Sequence, residues 1–237
     1  MAGIFQFKQF SVDQTGCAMK INTDGVLLGA LIKADDTKSI LDIGTGTGVI
    51  ALMLAQRFPF AKIDAVEIDQ SAAQTAGKNF ENSSFAERLS VFPLAIDDFF
   101  NERPVKKYDL IISNPPFHLN SLESPKAKKS LAKHTGEGFF EDLIKGIATH
   151  LSENGLFGLI LPLQAGELVK ILAEQYGLYL QNTISIHSFV ADAPHREILV
   201  FGKENINTAS DKFVIYDEPK MYSEMYKKAL KDFFTIF

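Results

Sequence analysis

Residues 39–55 read SILDIGTGTGVIALMLA. Ser39–Ile43 is a short, mostly apolar run with the pattern of a buried strand. Val49–Phe58 is apolar and stops before Pro59, the pattern of a packed helix. Between them Gly44, Gly46 and Gly48 alternate with threonines. Glycines at this spacing permit the unusual backbone of a tight strand-to-helix turn and let a ligand approach the main chain. Val49 stands where a G-x-G-x-x-G dinucleotide fingerprint needs its third glycine, and no Lys-Ser/Thr follows. Neither a nicotinamide cofactor nor a phosphate-binding P-loop is expected.

Outward from this turn, strand and helix patterns alternate. Lys62–Glu67 reads as a second strand, followed by a helix to about Asn82 capped by Asp69 and Ser71. Leu89–Leu94 and Tyr108–Ser113 read as the third and fourth strands. Apolar residues at 139, 140, 143, 144, 147, 148 and 151 line one face of a helix, which Gly155 is expected to close. LFGLIL, ending at Leu161, reads as the fifth strand and Ala165–Gln175 as a helix. Thr183–Ser188 and Glu197–Lys203 form a last strand pair. This is the α/β pattern: a mostly parallel sheet with helices on both faces. Such sheets bind ligands at the C-terminal ends of their strands. The loops after Ile43, Glu67, Leu94 and Ser113 are therefore the places to look.

Those loops carry chemistry. Asp42, directly before the glycines, would repel a pyrophosphate but suits a ligand bearing an ammonium group, such as S-adenosylmethionine. Glu67 lies about twenty residues past the glycines, where an acidic side chain accepts hydrogen bonds from ribose hydroxyls. SNPPFH begins at Ser113. An aryl amine is a poor nucleophile because its lone pair is delocalised into the ring. Two hydrogen-bond acceptors, the Asn114 side-chain oxygen and the Pro115 carbonyl, turn that lone pair toward a methyl donor. Pro115 and Pro116 stiffen the loop, and Phe117 supplies a flat face for a planar substrate. Positioning then does most of the catalytic work, without a strong general base.

The 237 residues are 46% apolar and 22% charged, enough to build a sizeable core. The net charge of −5 argues against a surface that grips nucleic acid everywhere. A basic run remains in KAKKSLAKH: Lys126, Lys128, Lys129 and Lys133, with His134. Lys227, Lys228 and Lys231 read as a solvated helix face. His195 and Arg196, between the last two strands, border the expected mouth, and His118 is a pocket-lining residue at most. One cysteine, Cys17, excludes an internal disulfide and fits a reducing compartment. The start, MAGIFQFKQF, lacks the blocks of a signal peptide, and Val49–Ala55 is too short to span a bilayer, so a cytoplasmic location is expected. The five histidines show no metal-ligand spacing, and no metal is expected.

DxGxGxG, an acidic strand end and NPPF together resemble the class I Rossmann-like methyltransferases with an NPP[FY] tetrad, which act on amino groups of adenine, guanine or protein glutamine. Two stretches narrow the resemblance. FKQFSVDQTGCAMKINTDGVLLGALI (7–32) and NPPFHLNSLESPKAKKSLAKHT (114–135) are similar to the bacterial tRNA1(Val) (adenine-37-N6)-methyltransferases.

That resemblance covers nearly the whole chain. It implies a seven-stranded sheet with an antiparallel last strand, S-adenosylmethionine as cofactor and a tRNA adenine as acceptor. It also implies a single methyltransferase domain over 1–237: a cofactor-capping segment (1–38), the Rossmann-like core (39–203) and a C-terminal extension (204–237). Lys20, Thr23 and Asp24 are placed near the methionine end of the cofactor, with Asn22 or Thr23 capping a helix. Cofactor contacts are expected from Lys20, Thr23, Asp42, Gly44, Gly46, Gly48, Glu67, Asp97 and Asn114. The tetrad Asn114, Pro115, Pro116 and Phe117 is the expected catalytic loop. Lys126, Lys128, Lys129, Lys133 and Arg196 are expected RNA contacts. In PLAIDDFF (93–100), Ala95 stands where related enzymes often carry an aspartate to the cofactor adenine; Asp97, or less favourably Asp98, is the substitute. The rRNA guanine-N2 and release-factor glutamine enzymes with similar tetrads typically carry an N-terminal domain. The 38 residues before the first strand of the core are too few for one.

Overall fold

The computed structural model describes residues 3–116 and 136–237. Its centre is an eight-stranded sheet of order β10-β8-β9-β7-β6-β3-β4-β5. The strands are β3 (Ser39–Ile43), β4 (Lys62–Val66), β5 (Leu89–Phe92), β6 (Tyr108–Ser113), β7 (Leu151–Leu161), β8 (Tyr179–His187), β9 (Arg196–Gly202) and β10 (Ala209–Val214). The β3 to β7 block is parallel, and β9 runs antiparallel to both β7 and β8. This is the expected seven-stranded arrangement, with β9 as the antiparallel strand. An eighth strand, β10, adds to the edge of β8 in parallel. Its sequence, ASDKFV, shows little apolar periodicity because only Phe213 and Val214 are buried.

Side chains of successive strand residues face opposite ways, so the sheet divides two cores. Ile40, Leu110 and Ile112 join the helices α1 (Thr23–Leu31), α2 (Val49–Arg57) and α3 (Gln70–Glu81), and α7 (Glu224–Leu230). Leu41 and Ile111 face α4 (Ile96–Glu102), α5 (Gly136–His150) and α6 (Leu163–Gln175). A hairpin, β1 (Ile4–Gln6) with β2 (Ser11–Asp13), and a short pair, β11 (Tyr216–Glu218) with β12 (Met221–Tyr222), complete the fold. Phe7 and Phe234 bridge the two chain ends.

Two local expectations are corrected. Gly155 does not close a helix: α5 ends at His150 and β7 starts at once at Leu151. The pairing with β6 jumps from Tyr108–Leu151 to Leu110–Leu156, so the extra residues form an irregularity. Gly155 sits there because a side chain would come within 2.8 Å of the Tyr108 carbonyl. Ser71 does not cap α3. Asp69 does, accepting from the Ala72 amide at 2.9 Å, while the Ser71 hydroxyl donates to the Gly16 carbonyl.

The turn from β3 into α2 has φ values of +73°, +57° and +82° at Gly44, Gly46 and Gly48. At Gly48 an added Cβ would lie 2.5 Å from the Phe80 ring of α3. Left-handed φ and overpacking together make Gly48→Ala costly, about 2–4 kcal/mol. The urea unfolding midpoint is expected to fall accordingly, and an unchanged midpoint would contradict this packing.

Candidate active site

The glycine turn is held down from one side. Gly44 and Thr45 amides donate to the Val66 carbonyl at the end of β4, at 2.8 and 3.1 Å. Glu67, the next residue, accepts from the Gly46 amide through Oε2 and from the Asp69 amide through Oε1, both at 2.9 Å. Each carboxylate oxygen retains a lone pair for a further donor. Above Gly44 and Gly46 there is open space: a Cβ built on either meets no atom within 4 Å. The backbone here forms a cradle walled by Glu67. Gly48 differs, since its Cα faces Phe80 and Ala76 and serves helix packing.

Asp42 is fully buried beneath this cradle. Its Oδ2 accepts from the Thr45 hydroxyl at 2.6 Å, and its Oδ1 has no partner among the described residues. Burial raises its pKa to about 7, against the opposing pull of Thr45 and the Ala51 amide; Glu67 adds a small further rise. Asp42 is thus no open contact. It lies below the turn, and a nearby cation would favour its charged form.

Asn114 closes β6 at the same edge of the sheet, half-buried, with Pro115 buried and Pro116 exposed. The Asn114 amide packs on α1: its Nδ2 lies 3.4 Å from the position a Cβ would take at Gly25. Ser113 below it donates to the Ile43 carbonyl at 3.0 Å, tying β6 to β3 where the turn begins. Asn22 is the cap of α1, accepting from Gly25 at 2.9 Å. Thr23 is the first helical residue and is exposed, as is Lys20 just before it. Asp24 pairs with Arg196 of β9 at 2.9 Å. Arg196 therefore clamps α1 to the sheet. Asp97 and Asp98 are exposed in the first turn of α4, after Ala95 as its cap residue. Phe117, Lys126, Lys128, Lys129 and Lys133, with His118 and His134, lie outside the described residues.

One organising residue escaped the sequence reading. Asn79, buried in α3, accepts from the Asp13 amide at 2.9 Å and donates to the Asp13 and Thr47 carbonyls at 2.9 and 2.8 Å. It binds the N-terminal segment to the glycine turn. Thr75 and Ser71 of the same helix donate to the Thr15 and Gly16 carbonyls. An asparagine inside a helix carries no signal in one sequence that distinguishes such a hub from a solvated side chain.

These features define a methyltransferase-type α/β site, with a glycine cradle, an acidic strand end and an Asn-Pro-Pro loop on one sheet edge. Residues 17–160 match the family model of the methyltransferase small domain. The tRNA1(Val) (adenine(37)-N6)-methyltransferase of Pedobacter heparinus is 48% identical over 237 residues, covering all of both chains. The enzyme of that name from Flavobacterium psychrophilum is 40% identical over 98% of this chain and 99% of its own. A predicted O-methyltransferase from Agrobacterium tumefaciens shares the fold, with a TM-score of 0.70, 18% identity and coverage of 89% of this chain and 96% of that one. The chain belongs to the tRNA1(Val) (adenine(37)-N6)-methyltransferase family. Among the described residues no helix is long and apolar enough to cross a membrane.

Asn79→Ala leaves the Asp13 amide and two carbonyls without their partner, at a cost of about 2–4 kcal/mol. Amide hydrogen exchange at Asp13 and in the 44–48 turn is expected to accelerate, while β7 and β9 stay protected. Uniform acceleration across the sheet would mean that Asn79 supports only global stability.

Proposed function

We propose that this chain transfers the methyl group of S-adenosylmethionine to the exocyclic N6 of adenine 37 in tRNA1(Val). The observation that carries the reading is the half-buried Asn114 amide at the end of β6, beside the glycine cradle and against the first turn of α1. The full-length relatives named for this reaction support the acceptor.

The residues present fit the cofactor. The space over Gly44 and Gly46 admits a ligand against bare backbone. Glu67, already oriented by two amides, offers its remaining lone pairs to ribose hydroxyls. Lys20 and Thr23, at the entrance to α1, serve the methionine end, and Asp97 serves the adenine end. The segment 1–38 caps the site, which agrees with the bonds from Asn79, Thr75 and Ser71 to its backbone. When bound, S-adenosylmethionine supplies an electrophilic methyl on a sulfonium. Asn114 Oδ1 and the Pro115 carbonyl accept the two N–H groups of the adenine amine. The nitrogen lone pair then turns out of conjugation toward the methyl. After transfer the nitrogen carries an extra proton, which is strongly acidic and leaves to solvent. Phe117 stacks on the base, and the lysines at 126, 128, 129 and 133, with Arg196 at the mouth, meet phosphates.

Asn114→Ala tests the catalytic assignment. The expected result is a fall in kcat of at least a hundredfold with tRNA, with cofactor affinity within about threefold of the parent. Equal loss of cofactor binding and turnover would show that Asn114 is a binding residue only.

Asp42 adds a pH dependence. In the unfolded chain it ionises near pH 4, but in the fold only at about 7. Its contribution therefore makes the cofactor-free protein less stable as pH rises from about 4 to 7, and constant above that. A cationic cofactor favours the ionised form, so its affinity should rise with pH through about 7, with proton release on binding. Calorimetry in buffers of different ionisation enthalpy reads this directly. Asp42→Asn should flatten the profile; a flat profile in the parent would overturn the coupling.

A further inference from the structure

Away from the reacting edge, the far end of α1 opens onto a groove of about 940 Å³. It lies between α1, the end of α2, β10 and α7, and Lys8, Lys33, Lys212, Lys228 and Lys231 line it, with Arg57. Among the described residues that line it, only Asp211 and Asp232 oppose these six cations, in a chain whose net charge is −5. The groove is thus strongly positive on a protein that is otherwise acidic.

The cations divide by role. Arg57 is structural: its guanidinium donates to the Gly29 and Ile32 carbonyls at 2.7 and 2.6 Å and closes the C-terminal end of α1. Lys8 donates to the Lys231 carbonyl and to an oxygen of Phe237, and Lys212 to the Val190 carbonyl. These contacts hold the ammonium groups of Lys8 and Lys212 in place. The ammonium groups of Lys33, Lys228 and Lys231 have no partner among the described residues, whereas the neighbouring Lys227 pairs with Glu224. Lys228 and Lys231 are exposed, in keeping with the expected solvated face, and Lys227 is half-buried and paired with Glu224. Gathering like charges around a concavity raises the local potential and opposes folding, and it attracts a polyanion. Lysines, as separate point charges, suit successive phosphates along a backbone more than one bidentate carboxylate.

We infer that this groove binds the phosphodiester backbone of the tRNA substrate, outside the nucleotide that reacts. The inference rests on the proposed function for the identity of the RNA. Its position agrees: α1 touches Asn114 at its first turn and lines the groove with Ala30 and Leu31 at its last. The helix is nine residues long, about 13 Å. One RNA molecule can therefore place a base at the edge and its phosphates in the groove.

The test replaces Lys33, Lys228 and Lys231 together by glutamine and measures tRNA binding against salt by filter retention, beside methyl transfer. The parent's log–log salt slope should fall by about 2–3, since each phosphate contact contributes about 0.7–0.9. KM for tRNA should rise at least tenfold, with kcat within twofold and cofactor affinity unchanged, which also reports a folded variant. An unchanged salt slope and KM overturn the inference. So does a variant that keeps tRNA binding but loses affinity for a free nucleotide, which would make the groove a small-ligand site. The proposed reaction fails separately, if the parent binds RNA with this slope yet transfers no methyl to adenine.

Discussion

The structure depends on one backbone constraint: three residues of positive φ between β3 and α2. Only glycine accepts that conformation without strain, and it brings the chain from the sheet into a helix within five residues. The turn does not hold itself. Val66 and Glu67 at the end of β4 pin Gly44, Thr45 and Gly46 from one side. Asn79 of α3 pins Thr47 from the other. Bare backbone over Gly44 and Gly46 is therefore presented at a fixed height above the sheet, with Glu67 at its margin. The N-terminal segment is drawn onto the same framework through Asp13, Thr15 and Gly16.

Catalysis in such a site asks little of acid–base chemistry and much of placement. Asn114 stands at the end of an internal strand whose neighbours are fixed on both sides. Its amide lies against Gly25 of α1, 3.4 Å from where a Cβ on that residue would sit. The Asp24–Arg196 pair holds that helix turn to β9. Arg196 is thereby part of the frame around the mouth, whatever else it meets. Asp42 sits under the turn with an incompletely satisfied carboxylate, in a position to sense charge that it cannot touch.

The central strands and the glycine turn were legible because their signals are local: apolar runs of strand length, Gly-x-Gly spacing and strand-end acids. Tyr108–Ser113 and Ser39–Ile43 were read to the residue for that reason. Gly155 was misread because a glycine after an apolar helix pattern ordinarily marks a stop. Here it serves a close contact with the Tyr108 carbonyl, a tertiary fact. The strand β10 was missed because most of its side chains face solvent, leaving no apolar alternation to read. Asn79 and the lysine groove were illegible for a related reason. Lys8, Lys33, Lys212, Lys228 and Lys231 are scattered over the sequence, and only the fold brings them to one concavity.

The most direct measurement is the mass of each nucleoside and the position of the new methyl group after incubating the protein with S-adenosylmethionine and unmodified tRNA1(Val). One N6-methyladenosine per tRNA, mapped to position 37, is the expected result. Methyl on a guanine N2, or no methylated nucleoside while the cofactor remains bound, would contradict the assignment of Asn114 and Pro115 to an adenine amine.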